Sequence, residues 1–428
     1  MAAHRQESQR SPTMTEEAAM TAPALQNVKV LDLSRVLAGP WAAQTLGDLG
    51  AEVIKVERPG TGDDTRAWGP PYVTDPAGQP TGESAYYMCA NRNKQSVSID
   101  LTKPEGQELV RRLAQQCDVL IENFKTGGLA QYGLDYASLR ELNPRLVYCS
   151  VTGFGQDGPY AHRAGYDFLI QGMGGLMSIT GLPDGVPGGG PMKVGVALTD
   201  ILTGLYASTA ILAALQAREH TGRGQHIDLA LLDVGVACLG NQAMNYLYGH
   251  QAPRRMGNAH PNTLPYQDFP TADGYMILAV GNDGQFARLC AAIERPQWAE
   301  DARFARNAAR IAHRDELIEG LRAITVTRST REWIALLEQH GVPCGPINTV
   351  ADVFEDPQVQ ARGLRMSMQH PQAGEVPLVA SPIRLSDTPV SYRHAPPQLG
   401  QDTDAVLARY LGLSAETLHM HRANGVLG

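Results

Sequence analysis

VKVLDLSRVLAGPWAAQTLGDLGAEVIKVER, residues 28–58, decides the fold. Val28–Leu33, with four apolar residues in six, reads as a short strand. Ser34–Pro40 contains Gly39 and Pro40 and reads as a loop. Trp41–Leu49 has helical spacing and stops at Gly50. Ala51–Val56 reads as a second strand, followed by Glu57 and Arg58. A strand, a helix and a strand joined by short links make a βαβ unit, which implies parallel pairing.

The same alternation runs outward. Ser96–Ile99, Asp118–Ile121 and Arg145–Ser150 predict strands, and Pro104–Gln116 predicts a helix with proline in its first turn. This pattern predicts an α/β fold: a Rossmann-like large domain with a doubly wound parallel sheet. Ligands of such sheets sit beyond the carboxyl ends of the strands, which singles out the loops at 34–40, 57–66, 122–128 and 152–167. Asp200–Glu219 predicts a long apolar helix, His226–Leu229 a strand, and Leu232–Tyr248 a second helix. A strand at Tyr275–Val280 and helices near 284–293, 315–322 and 330–339 predict a smaller α+β domain. The expected division is a flexible leader at 1–25, a large domain at 26–225, a small domain at 226–340 and a tail at 341–428. Met14 and Met20 are alternative starts, and the tail should end in a helix near Asp402–Leu411.

A chain of 428 residues exceeds one ordinary core, which agrees with two domains. A net charge of -8 argues against nucleic acid as the main partner, because phosphate binding needs a basic surface. An anionic small ligand needs only a few Arg or Lys side chains. The six cysteines show neither CxxC nor zinc-site spacing, so reduced thiols and no metal are expected. The sequence suggests no membrane span and no secretory signal. Glu7, Glu16 and Glu17 are unlike a mitochondrial transit peptide, so a cytoplasmic location is expected, with mitochondria the alternative in a eukaryote.

The loop SRVLAGP occupies the place of a dinucleotide fingerprint but lacks G-x-G-x-x-G. Glu57 stands where a ribose would be held, and Arg58 beside it suits a phosphate-bearing ligand or, equally, a solvated loop. Asp200 follows the apolar run Val194–Leu198 and opens a helix. It reads either as an N-cap or as a nucleophile that the helix terminus keeps ionised at neutral pH. Asp167 reads as a second candidate loop carboxylate or as a turn aspartate; His260 reads as an acid–base group or, with no partner to name, rather as a loop histidine. Cys149 ends a strand on the ligand side, but no base is apparent to activate it. The absence of GxSxG, HExxH and GxxxxGK[ST] removes support for lipase-like, zinc-protease and P-loop chemistry.

Arg35-Val36-Leu37-Ala38-Gly39-Pro40 and Leu46–Gly60, taken with later blocks, resemble the class III CoA transferases, the family of formyl-CoA and carnitine CoA-transferases. The later blocks are Asn91–Lys94, Glu122–Phe124, Gly153–Pro159, Ala164–Asp167 and Thr221–Gln225. The family also contains the α-methylacyl-CoA racemases. Within it, Gly62–Pro71, Pro265-Tyr266-Gln267 and Gly345–Asn348 are similar to the branch of succinyl-CoA transferases that use glutarate or hydroxymethylglutarate. The resemblance implies an interlocked homodimer, with the tail returning to the large domain. It implies Asp200 as nucleophile, and Leu37, Ala38, Arg58, Leu101, Thr102, Asn123, Phe124, Tyr166 and Asp167 as CoA contacts. Arg58 would face the CoA phosphates. The substrates implied are an acyl-CoA and small carboxylic acids, with no tightly bound cofactor.

Racemases carry a catalytic His at the Tyr-Asp motif, so Asp167 there implies transfer rather than racemisation; a racemase or a non-catalytic CoA-binding protein are the alternatives. Three departures matter. Thr102-Lys103 and Gln131 stand where relatives place Lys and Arg, and the glycine tetrad of oxalate users is replaced by Gly257–Asn262. The last of these argues against oxalate or formate as substrate. A dicarboxylate acceptor needs a cation for its far carboxylate; Arg66, Arg254 and Arg255 are the candidates, and each reads at least as readily as an exposed loop cation.

Overall fold

A computed structural model describes residues 22–428, so most of the expected leader, with Met14 and Met20, lies outside the described residues. Six parallel strands form the main sheet: β1 (Lys29–Asp32), β2 (Glu52–Glu57), β3 (Lys94–Ser98), β4 (Val119–Glu122), β5 (Val147–Thr152) and β6 (His226–Ala230). Their order across the sheet is β3-β2-β1-β4-β5-β6. The chain therefore leaves β1 in one direction and resumes on its other side at β4. The loops after β1 and β4 diverge there, and a crevice opens at that switch point.

Helices cover both faces. On one, α1 (Ala38–Asp48) and a later long helix bury Ala42, Ala43, Leu46, Ala207, Ile211 and Ala214 against Val30, Val119 and Val147. On the other, α2 (Pro104–Gln116) packs Leu109, Val110 and Leu113 with Leu31, Val97 and Leu120. Val406, Leu407, Leu418, Val426 and Leu427 from the C-terminus complete this second core. The first helix starts at Ala38, earlier than expected, because Pro40 fits a first helical turn, where its missing N–H loses no partner.

Beyond β5 come α3 (Asp167–Met173), α4 (Leu198–Thr221), α5 (Leu231–Ala237) and α6 (Asn241–Gly249). The expected single helix at Leu232–Tyr248 is thus two helices. Gly240, at φ 54° and ψ -124°, breaks it. Contrary to expectation, α4 is long and apolar enough to cross a membrane; here its apolar residues pack on α1 and the sheet. The main sheet runs through Ala230, past the expected boundary at 225/226.

A separate core lies between Leu264 and Val342. It is built on an antiparallel sheet of β7 (Tyr266–Pro270), β8 (Tyr275–Ala279) and β9 (Cys344–Pro346). The tail adds a hairpin over 365–379, a helix at Thr403–Leu411 and an unforeseen helix at Ala415–Ala423. Ser96 N–H donates to Asp402 and Asp100 N–H to Val426 O, so the tail bonds directly to the edge of the main sheet.

Candidate active site

The loop after β1 has no glycine fingerprint, and buried charges hold it instead. Lys55 Nζ donates to Ser34 O at 2.7 Å and pairs with Asp63 at 3.0 Å. Asp63 in turn accepts from Val36 N at 3.1 Å. Lys94 Nζ, completely buried, donates to Asp32, to Pro40 O and to Asn91, each at 2.9 Å. Burial alone would push Asp63 upward, but Lys55 beside it draws its carboxyl down to about 2. Within this loop Val36 has φ 73°, a left-handed conformation that a β-branched residue adopts only under constraint. Such strain costs of order 1–3 kcal/mol and clusters at functional sites.

The crevice between β1 and β4 is closed by a reciprocal clamp. Arg35 N–H donates to Asn123 Oδ1 at 3.0 Å, and Asn123 Nδ2 donates to Arg35 O at 2.7 Å. Glu122, ending β4, accepts from Phe124 N at 2.8 Å. Two clefts meet at Arg35 and Phe124. One, of about 260 Å³, is lined by Lys55, Glu57, Arg58, Asp100, Leu101 and Thr102, among others. The other, of about 140 Å³, is lined by Leu37, Ala38, Asn123, Tyr166 and Asp200, among others. Eight of the nine expected CoA contacts therefore line two adjoining clefts, and the expected nucleophile lies in the second. The ninth, Asp167, is not on the wall.

Asp200 reaches this place through close helix packing. A Cβ on Gly204 would stand 2.8 Å from Ala38 O and 3.0 Å from Trp41 Cβ, so glycine lets α4 lie directly on the start of α1. Across the cleft, a Cβ on Gly153 would meet Gly165 Cα at 2.5 Å; this pair of glycines presses the 164–167 segment onto the end of β5. Asp200 itself is not the N-cap. It is the third residue of α4, whose cap position is Ala197, without a side-chain bond. Asp167 supplies the cap from another segment: its Oδ1 accepts from Thr199 N at 2.8 Å and Asp200 N at 3.4 Å.

The electrostatic expectation for Asp200 also needs correcting. Burial, and then the negative charge of Asp167, raises its carboxyl to about 7. The helix terminus does not outweigh these two effects. Asp200 thus sits at its ionisation midpoint near neutral pH, a common state for a working carboxylate.

Other candidates fall elsewhere. Both Glu57 oxygens are taken, by Arg66, Ser96 and Asp63 N, so no ribose partner is free there. Arg66 is buried and also bonds Glu83, Tyr87 Oη and Pro397 O, which removes it as a ligand for an acceptor's far carboxylate. Arg255 pairs with Asp184 and does not line either cleft, nor does Arg254. His260 accepts from Asn262 N in the 257–262 loop, outside both clefts. Cys149 is fully buried, and burial raises its thiol well above the ordinary range. Arg35, Lys125 and Arg163 do line the cleft with Asp200, and the sequence reading passed over them. Each lies within or beside a quoted motif, which is the signal that would have found them.

Comparison with known proteins identifies the family of the chain. A family model described as CoA-transferase family III matches residues 25–403. The chain is 54% identical over 386 residues to a succinate–glutarate CoA-transferase of Agrobacterium fabrum, covering 90% of this chain and 95% of that protein. It is 46% identical over 387 residues to a human succinyl-CoA:glutarate CoA-transferase, covering 90% of this chain and 86% of that one. A crystal structure of a CAIB/BAIF family protein from Brucella suis superposes with a TM-score of 0.78 at 51% identity, over 90% of this chain and 98% of that one.

Proposed function

The chain belongs to CoA-transferase family III, and from that premise we propose that it moves CoA from succinyl-CoA to glutarate, with the Asp200 carboxylate as the covalent carrier. The observation that carries the reading is Asp200 in the wall of a cleft that adjoins a second one, lined by Lys55 and Arg58. A CoA thioester is long, with phosphates at one end and the reacting carbon at the other. Arg58, Leu101 and Thr102 serve the nucleotide end, and Leu37, Ala38, Asn123, Phe124 and Tyr166 guide the arm to Asp200. Arg35, Lys125 and Arg163 supply attraction for the anionic thioester and acids.

The steps follow from carboxylate chemistry. An Asp200 oxygen attacks the thioester carbon, the C–S bond breaks, and CoA thiolate leaves; a mixed anhydride remains on Asp200. The thiolate then attacks the aspartyl carbonyl. Succinate departs with the bridging oxygen, and an aspartyl-CoA thioester forms. Glutarate attacks that thioester, expels the thiolate and makes a second anhydride. The thiolate attacks the glutaryl carbon, which gives glutaryl-CoA and restores the Asp200 carboxylate. Each addition places charge on oxygen, and the first turn of α1, which no side chain caps, supplies N–H donors beside the cleft.

The test is incubation with succinyl-CoA and a panel of mono- and dicarboxylates, with mass detection of new CoA thioesters. Glutaryl-CoA is the expected product. Transfer to no acid would overturn the enzyme's proposed reaction, and transfer to monocarboxylates alone would overturn the choice of glutarate.

The assembly we assign is an interlocked homodimer. It is supported by large apolar side chains left exposed on and beside α3, α4 and α6, among them Phe168, Leu169, Tyr206, Leu247 and Tyr248. Light scattering should give twice the chain mass at micromolar concentration; a monomer mass would contradict the assignment.

A further inference from the structure

The helix that carries Asp200 is tied down by two side chains that stand behind the cleft. Asp167 opens α3, and its Oδ1 accepts from the N–H of Thr199, from the Thr199 hydroxyl and from the N–H of Asp200. Its other oxygen accepts from Gln171 Nε2 at 2.7 Å. Gln171 lies one turn further along α3 and is fully buried. Its Oε1 accepts from Val194 N at 2.9 Å, and its Nε2 also reaches Val196 O at 3.4 Å. One amide side chain thus grips both the Asp167 carboxylate and the strand of chain that leads into α4.

We propose that Gln171 is a positioning residue for CoA transfer, acting through Asp167 to fix the first turn of α4 and so the direction of the Asp200 carboxylate. This rests on the reading of Asp200 as the acyl carrier. The chemistry of the amide fits the task closely. Its NH2 must face Asp167, which only accepts, and its oxygen must face the Val194 N–H, which only donates. Glutamine offers both in a side chain that does not titrate, and asparagine, the other amide, is one methylene shorter. α4 has no cap of its own at Ala197, so its first-turn N–H groups depend on Asp167, and Asp167 depends on Gln171 for its orientation. A carboxylate nucleophile is sensitive to such support, because misplacing a reacting group by about 1 Å lowers rates roughly 100-fold.

The pairing predicts a specific rescue. Asp167→Asn must turn its NH2 toward Gln171 or toward Thr199, and meets a donor either way. Gln171→Glu sets a carboxylate against the Asp167 carboxylate. The double variant restores a donor facing an acceptor. Each single change should lower kcat about 30-fold or more, with KM for succinyl-CoA within about threefold of wild type. The double variant should recover at least about tenfold over the weaker single. A double variant no better than the product of the two singles, or singles with kcat within about threefold of wild type, would overturn the proposal. If a single variant does not fold, Gln171→Met decides: kcat should fall with KM held, and an unchanged kcat would overturn it. Failure of the carrier reading is separately visible, because wild-type enzyme would then transfer CoA without involving the Asp200 carboxyl at all.

Discussion

Asp200→Asn is expected to lower turnover at least about 1000-fold while leaving the protein as stable as wild type or more so. The amide keeps the shape of the carboxylate but has no oxygen able to form an anhydride. The stability expectation comes from the site's electrostatics. Asp200 is buried beside Asp167, and its folded value of about 7 lies above the ordinary 3.8. A carboxyl raised on folding opposes the folded state increasingly as pH climbs from 3.8 to about 7, and the full penalty stands at pH 8. Asparagine removes that penalty. Activity and stability should therefore separate: a dead enzyme at pH 8 with an equal or higher Tm. The same ionisation shapes the wild-type rate. Only the ionised carboxylate attacks, so acyl transfer to the enzyme should fall about tenfold per pH unit below pH 7 and level off above it. Residual turnover above a few per cent in Asp200→Asn would contradict the nucleophile; a large loss of Tm would contradict the electrostatic account.

Arg66→Met is expected to destabilise the large domain by roughly 3–5 kcal/mol, the usual effect of removing one partner from a buried ion pair. Arg66 is the hub of a buried network. It holds Glu57 with two bonds, at 2.8 and 2.7 Å, and Glu83 with one at 2.6 Å. Its guanidinium also stacks on Tyr87, 3.8 Å from the ring centroid, and bonds Pro397 O. Methionine replaces the bulk but strands two buried carboxylates. Glu57 would lose the partner that fixes it against Asp63 N and Ser96, so the floor of the nucleotide-side cleft should loosen as well. The expected readout is a Tm lower by about 5 °C or more, with a raised KM for succinyl-CoA in whatever protein remains folded. An unchanged Tm would show that the network contributes nothing net.

Four strands of the main sheet were legible from short apolar runs, Val30-Leu31, Val53-Ile54, Val119–Ile121 and Val147–Cys149. Asp200 was legible as a helix-opening carboxylate. Its cap was not, because the capping oxygen comes from Asp167, 32 residues upstream of Thr199, and no local pattern encodes a contact at that distance. For the same reason Arg66 read either as a ligand for the acceptor's far carboxylate or as an exposed loop cation. Its partners Glu57, Glu83 and Pro397 are scattered along the chain, and only folding gathers them into one buried cluster. The substitute for a glycine fingerprint was hidden too: Lys55 and Lys94 look like surface residues of strands until the sheet places them under the 34–40 loop. The eight cleft residues came from resemblance rather than from pattern. The break at Gly240 was readable in principle, since a glycine in mid-helix is a standing warning.

The carrier role of Asp200 has a direct isotopic signature. In the proposed steps succinate leaves with an Asp200 oxygen, and glutarate replaces it. Enzyme cycled with succinyl-CoA and glutarate labelled with 18O in its carboxylates should therefore carry 18O in the Asp200 side chain, read by tandem mass spectrometry of the peptide containing it. Glutaryl-CoA formed in quantity while Asp200 stays unlabelled would contradict the account.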